Sequence, residues 1–414
     1  MIDRFLGERA RRAFSRAVTF EEGVHPELPA GGTRRDRLLY LHIPFCEKLC
    51  PYCSFNRVVF EEPLAHRYFR ALRKEIELYR ARGYDFAGVY VGGGTPTIQV
   101  GELQETLLLA RANFGIREIS VETNPNHLTE RNLRALKEAG VDRLSVGVQS
   151  FDDGLLRAME RYEKYGNGLE IAGRLRGALG AFSTLNADMI FNFANQTPET
   201  LARDLDTLVD IGIDQVTYYP LMVSDSTRDR VHRTLGPVNM TRERSFYRQI
   251  TDRLVPPYRF SSVWCFSRKP AMIDEYVVGY DEYAGLGSGS IGYMDGICYA
   301  NTFSIEDYIR RLDAGEIPLM AARRFGTREQ VQYDFLMRLF GTELKMGDLR
   351  KKYGNALGRH LWPMVLSFRL AGAVRCSGGL LSLTPRGRYF WVVMMREFFI
   401  AVNNFRDFCR GYDI

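Results

Sequence analysis

The chain has 414 residues, 45% of them hydrophobic and 26% charged, with a formal net charge of +6. That length exceeds one ordinary domain, and the composition is that of a folded globular chain rather than a disordered or fibrous one. No run approaches the roughly 18 apolar residues of a membrane span and no secretory core follows the start, so the chain reads as cytosolic.

Residues 1–37 hold eight arginines, including Arg4, Arg9, Arg16 and Arg37. They read as a solvated basic segment that could touch nucleic acid or anionic lipid; Glu8, Glu21, Glu22 and Glu27 argue against a transit peptide. From residue 38 the pattern alternates. Residues 38–43 form an apolar run expected to be a buried strand. A helix follows over 63–82, with Leu64, Tyr68, Leu72, Ile76 and Tyr79 at helical spacing. Strands are expected at 89–91, 119–121, 143–148, 186–191 and 215–219, with helices at 103–114, 128–139, 152–160, 167–180 and 199–211. Six strands alternating with helices imply parallel βαβ units, and right-handed crossovers curl them into a partial (β/α)6 barrel of the TIM type within an α/β fold. After about residue 225 the alternation fades. The expected division is a basic segment at 1–37, the barrel at 38–225, an extension completing the active site at 226–320, and a smaller, mainly helical, winged-helix-like domain at 321–414. Residues 378–385 read as a turn and short strand, and 387–405 as a helix.

Seven cysteines are present, at 46, 50, 53, 265, 298, 376 and 409. Three fall within eight residues, which suits a metal site in a reducing compartment better than a disulfide framework. Cys46-x3-Cys50-x2-Cys53 offers three thiolates on one loop. Iron–sulfur clusters are held by cysteine thiolates, commonly four. Three on a four-iron cube leave one iron open to the amino and carboxylate groups of S-adenosylmethionine (SAM). A structural zinc would want a second ligand pair, and the sequence shows none. His42 is the nearest further ligand and is expected to pack or hydrogen-bond instead.

Tyr40-Leu41-His42-Ile43-Pro44-Phe45-Cys46 with Cys50-Pro51-Tyr52-Cys53 resembles radical SAM enzymes related to oxygen-independent coproporphyrinogen III oxidase. The resemblance continues through Gly92-Gly93-Gly94-Thr95-Pro96-Thr97, Glu122-Thr123-Asn124-Pro125 and Arg143-Leu144-Ser145-Val146-Gly147-Val148-Gln149-Ser150-Phe151. It extends to Tyr283-Ala284-Gly285-Leu286-Gly287 and Leu383-Thr384-Pro385-Arg386-Gly387, covering about residues 38–395. It implies that Cys46, Cys50 and Cys53 bind a [4Fe–4S] cluster. It implies further that Tyr40, Gly93, Gly94, Thr95, Glu122, Gln149, Arg161 and Asp188 bind SAM, Arg161 being placed by its offset from Gln149. These residues fall at successive strand ends, where barrel enzymes carry their chemistry.

Two departures narrow the expectation. The decarboxylase has a further cysteine where this chain has Phe55, and its Gly-Leu-Pro-Gly-Gln-Thr block reads Asn192-Phe193-Ala194-Asn195-Gln196-Thr197 here. Cys53-Ser54-Phe55-Asn56-Arg57-Val58 and Ser262-Val263-Trp264-Cys265-Phe266 resemble the menaquinone C8-methyltransferase branch of the class C methyltransferases. That resemblance implies an enzyme using two SAM molecules to methylate an sp2 carbon of a lipophilic substrate. It implies a flavodoxin- or ferredoxin-like reductant, no nucleic acid, and peripheral contact with the inner face of a membrane. The apolar helix at 389–405 would cover a prenyl channel or rest on that membrane, or else lie buried between domains. A tetracarboxylate porphyrinogen would instead need a cluster of cations. Tyr218, Tyr219, Trp264, Tyr276, Tyr283 and Tyr293 could stack on a planar substrate. The alternatives are an anaerobic enzyme that modifies haem or another tetrapyrrole, and a haem-binding chaperone with His42, Cys265 or Cys298 as conceivable ligands.

Overall fold

A parallel strand covered by helices on both faces reads as a continuous apolar run rather than an alternating one, and Leu38-Leu39-Tyr40-Leu41 is such a run. In the computed structural model, which describes residues 7–8, 11–12, 28, 31, 36–270 and 279–412, it forms β1 (Arg37–Ile43), buried along its whole length. Most of the basic 1–37 segment lies outside the described residues.

The two-residue strands β2 (Phe45–Cys46) and β3 (Val58–Val59) pair in parallel and pinch the cysteine loop shut. The helix α1 (Glu62–Ala81) starts with a proline in its first turn, where the missing N–H costs nothing. Then β4 (Gly88–Gly93) and a 3-10 turn (Pro96–Gln99) lead into α2 (Val100–Asn113). After β5 (Glu118–Thr123), α3 (Glu130–Glu138) is capped by Thr129, whose side chain accepts from Asn132 N. β6 (Arg143–Gln149) is followed by the short α4 (Asp153–Ala158) and α5 (Tyr162–Tyr165), then α6 (Gly168–Ala178) with an Asn167/Glu170 capping box. β7 (Thr184–Phe191) feeds α7 (Pro198–Ile211), capped by Thr197 and stopped by Gly212 in the left-handed region, and β8 (Gln215–Pro220) completes the alternating part. Strands β1, β4, β5, β6, β7 and β8 are parallel neighbours in that order.

Beyond residue 225 come α8 (Arg228–Leu235), α9 (Glu243–Leu254), β9 (Arg259–Phe260), β10 (Cys265–Ser267), β11 (Glu282–Leu286), β12 (Ile291–Met294) and β13 (Ile297–Asn301). α10 (Ile305–Asp313) and β14 (Leu319–Arg324) follow, the strand crossing the expected division at 320/321. These segments widen the same sheet at both edges. β10 pairs antiparallel with β8, and β11 pairs parallel with the free side of β1, giving the order β14-β13-β12-β11-β1-β4-β5-β6-β7-β8-β10-β9. The fading alternation has a physical cause. β11–β14 are joined to one another as antiparallel neighbours, which need no crossover helix. The extension is held from inside by Glu75 of α1, which is fully buried and accepts from Gly287 N (2.8 Å), Asn301 Nδ2 (2.8 Å) and Tyr308 Oη (2.6 Å). Burial pushes its carboxyl up to about 7.

The remaining elements are α11 (Thr327–Phe340), β15 (Glu343–Lys345), α12 (Met346–Tyr353), α13 (Ala356–Leu370), β16 (Val374–Ser377), β17 (Leu380–Leu383) and α14 (Pro385–Tyr412). The three strands make a small antiparallel sheet in the order β15-β17-β16. The apolar stretch of α14 is covered rather than presented to a channel or a lipid surface. Tyr389 through Met395 are all buried, and Trp391 donates from Nε1 to Leu336 O at 3.0 Å. Among the described residues no helix is long and apolar enough to cross a membrane.

Candidate functional site

The β2–β3 ladder fixes both ends of the cysteine loop, with Val58 N donating to Pro44 O (2.7 Å) and Phe60 N to Cys46 O (2.8 Å). Inside it, Arg57 donates from Nη2 to the carbonyls of Cys50 and Cys53, both at 2.6 Å. Cys46, Cys50 and Cys53 are free thiols, the first buried and the others half-buried. Burial, with the neighbouring Cys53 next, pushes the Cys46 thiol up to about 11. Among the described residues no group of three His, Cys, Asp or Glu side chains is arranged around a single ion position. A four-iron cube takes one thiolate per iron, and three soft donors on a closed loop fit it.

The loop after β4 is pressed onto this loop by hydrogen bonds from Gly94 N to Ile43 O (2.7 Å) and Thr95 N to Phe45 O (2.8 Å). A Cβ at residue 94 would stand 2.5 Å from Phe45 O and 3.0 Å from Cys46 Sγ. Gly93 has φ +115°, and a Cβ there would meet the His42 ring at 2.7 Å. Glycine is the residue that fits both positions. Thr95 Oγ1 lies 3.8 Å from Cys46 Sγ.

The other strand ends converge on the same side. Glu122 accepts from Tyr90 Oη (2.9 Å) and Gly93 N (3.3 Å) rather than capping the following helix. Burial first, and the charge of Asp188 second, raise it to about 7. Asp188 accepts from Ser145 Oγ (2.7 Å) and Asn186 Nδ2 (2.8 Å). Gln149 ends β6 at a register shift with φ 75°, a left-handed conformation that is uncommon for a non-glycine residue and typical of functional sites. Arg161 is 3% exposed and donates to Gly147 O, to Asn124 Oδ1 (3.2 Å) and toward Tyr52 Oη (3.4 Å), with Cys50 Sγ at 3.8 Å. The offset from Gln149 thus lands on a residue of this site.

Tyr40 reaches the site through His42. His42 Nε2 lies 2.7 Å from the Asn56 carbonyl, so Nε2 must carry the proton, and Nδ1 accepts from Tyr40 Oη at 3.1 Å. Burial brings His42 down to about 4, so the ring is neutral. Both nitrogens are engaged, and His42 is no haem ligand. Cys265 is fully buried against Thr217 Oγ1, and burial holds the Cys298 thiol near 12. Cys298 therefore stays a protonated thiol.

Residues not foreseen as part of the site complete it. Asn124 bridges Thr95 Oγ1 (2.9 Å) and Arg161. The C-terminal end of α14 reaches the cysteine loop: Asn404 and Asp407 bond Asp225 and Ser226, Arg410 donates to Ser54 O (3.4 Å), and the Arg406 guanidinium stacks 4.9 Å from the Phe55 ring. Arg57, Arg161 and Arg406 each keep a buried Nε without a hydrogen-bond partner. The loop is therefore ringed by cations with donor capacity to spare. Asn124 and Arg57 sit inside motifs already singled out; for Arg406, some 350 residues from the loop, the sequence carries no such signal. The aromatic set does not assemble as a stacking platform. Tyr218, Trp264, Tyr283 and Tyr293 are buried in the core, Trp264 against Phe340 and Phe399, and Tyr276 lies outside the described residues. Of the five described, Tyr219 alone is half-buried at a strand end.

Residues 40–208 match the Radical SAM superfamily model. The chain is 28% identical over 374 residues to the haem chaperone HemW of Bacillus subtilis, covering 84% of this chain and 95% of that one. It is 24% identical to the oxygen-independent coproporphyrinogen III oxidase of Pseudomonas aeruginosa, covering 91% and 89%. Among solved structures it is similar to coproporphyrinogen III oxidase (HemN) from Escherichia coli, with a TM-score of 0.73, 22% identity and 93% of each chain covered. The chain has the α/β fold of that structure, and the model matched by residues 40–208 is of a superfamily that implies a [4Fe–4S] cluster and SAM. These relatives overturn the methyltransferase expectation. They are haem chaperones and coproporphyrinogen oxidases along nearly the whole chain, and the apolar helix that pointed to a prenyl tail is packed inside the protein.

Proposed function

We propose that this chain is a radical SAM enzyme that modifies a tetrapyrrole, binding it beside the cysteine loop through its carboxylates. The observation that carries this reading is the pair Arg57 and Arg406 beside the cysteine loop, each with an unpartnered buried Nε. Guanidinium groups match carboxylates in geometry and charge, whereas an apolar quinone would leave them buried without an anion. The similarity to haem chaperones and coproporphyrinogen oxidases supports the same ligand class.

In this reading Cys46, Cys50 and Cys53 hold three irons of a [4Fe–4S] cluster. Such a cluster would supply, with an external reductant as electron source, the one-electron reductive cleavage of SAM that starts radical chemistry. The chain's own residues orient the reactants. Gly93 and Gly94 let the backbone approach SAM, and Tyr40 is held beside it by its hydrogen bond to His42. Glu122 and Asp188 accept from the ribose or ammonium, and Arg161 and Gln149 contact the remaining polar groups. These residues would line one of the SAM molecules expected. Phe55, where the decarboxylase has its further cysteine, argues for a tetrapyrrole reaction other than coproporphyrinogen decarboxylation.

A haem chaperone without turnover is the second reading, favoured by the match to HemW. Anaerobic incubation of reconstituted protein with SAM, reductant and either haem or coproporphyrinogen III separates the two. Modification predicts 5′-deoxyadenosine formed together with loss of the tetrapyrrole. A stoichiometric Soret shift without consumption supports the chaperone. Neither response means that tetrapyrroles are not its ligands.

A further inference from the structure

Among the described residues, α13 carries a line of large apolar side chains on its exposed face. Trp362, Leu366 and Leu370 follow one another at four-residue spacing and are 49%, 55% and 81% exposed. Side chains three and four apart share a helix face, so Arg359 and Arg369, both exposed, stand on the same face as this stripe. The opposite face, through Leu357, Leu361 and Val365, is buried, so the helix is anchored and its stripe cannot turn inward. The surrounding segment 343–376 holds seven Lys and Arg against two acids, Glu343 and Asp348. Lys351 and Arg375 are among the exposed cations.

We propose that α13 docks this protein on an anionic lipid surface, its Trp362–Leu366–Leu370 stripe lying in the headgroup boundary and its cations facing the lipid charges. An amphipathic helix with aromatic and leucine side chains on one line and basic residues beside them binds such interfaces, and tryptophan is suited to the interface itself. The basic flank is the charge complement of anionic lipid. A nucleic acid would meet the same cations, but three large apolar side chains have no counterpart on a phosphate backbone. The surface differs from the buried α14 stretch and is independent of the tetrapyrrole reading.

Of the three tryptophans, Trp264 and Trp391 are fully buried, so tryptophan emission on docking reports Trp362. Full-length protein is titrated with vesicles of phosphatidylglycerol and phosphatidylcholine mixed, and of phosphatidylcholine alone, with flotation in parallel. The expected result is a blue shift and co-flotation with the anionic vesicles, weakened by salt. Binding should fall roughly tenfold in Leu366→Glu and Leu370→Glu, whose circular dichroism and thermal melting remain those of wild type. No shift and no flotation with anionic vesicles overturns the proposal. So does a shift produced by duplex DNA alone, or by raising protein concentration without lipid, which would assign the stripe to nucleic acid or to a second copy of the chain.

Discussion

At the scale of single residues, the site is built by removing side chains as much as by placing them. Gly94 lies so close to Phe45 O and Cys46 Sγ that a methyl group has no room. Gly94→Ala is expected to displace the cysteine loop and lower iron and sulfide content after reconstitution several-fold, with far-ultraviolet circular dichroism unchanged. Wild-type iron content in that variant would show the contact to be unimportant. Arg57 holds two loop carbonyls with one guanidinium nitrogen. Arg57→Ala removes charge-assisted bonds worth about 1.5–3 kcal/mol each, so the loop should lose cluster faster on exposure to chelator, with Arg57→Lys intermediate. The cysteines, the glycines and the strand-end acids were legible in the sequence because their chemistry is carried by residue type and spacing. Phe55 misled. It records what the decarboxylase has and this chain lacks, and in the structure it sits under Arg406, a cation and not an apolar neighbour. A missing cysteine excludes one reaction without naming another.

At the scale of elements, the six parallel strands and their helices were readable because apolar runs and 3.6-residue periodicity are local signals. The edge strands β9–β14 were not, since short antiparallel strands carry no crossover helix to mark them. The helix at 389–405 shows a further limit of pattern: an apolar circumference says that something covers it, and only tertiary packing says what. Element packing also sets a pH dependence. Glu75 joins α1 to the turn after β11, to β13 and to α10, and its carboxyl is raised by burial from 4.5 to about 7. The folded state therefore holds a proton that the unfolded state has released between those values. Its contribution is full below pH 4.5 and is lost as pH rises through 7, to a total of about 3 kcal/mol. His42, lowered to about 4, acts in the opposite sense between pH 4 and 6.5, so the comparison must be with a variant. Glu75→Gln, which keeps the shape without the charge, should lose this term. Its melting temperature should gain on wild type between pH 5 and pH 7.5; parallel profiles would show that folding does not raise the Glu75 carboxyl.

At the scale of the whole molecule, the far end of the chain returns to its beginning. α14 bonds the loop after β8 through Asn404 and Asp407 and the cysteine loop through Arg410, and Arg406 adds a cation to the site. Arg406→Ala should therefore weaken tetrapyrrole binding about tenfold while leaving iron content and SAM cleavage without substrate unchanged. Loss of iron would make the residue part of the cluster's support instead. The central claim is that Cys46, Cys50 and Cys53 hold a [4Fe–4S] cluster that cleaves SAM. Its most direct measurement is 5′-deoxyadenosine formation under strict anaerobiosis, with iron and sulfide assayed on the same samples, in wild type and in the triple variant Cys46→Ala, Cys50→Ala, Cys53→Ala. The account predicts about four irons and four sulfides per chain with SAM cleavage in wild type, and neither in the variant. SAM cleavage surviving loss of the three cysteines would contradict it.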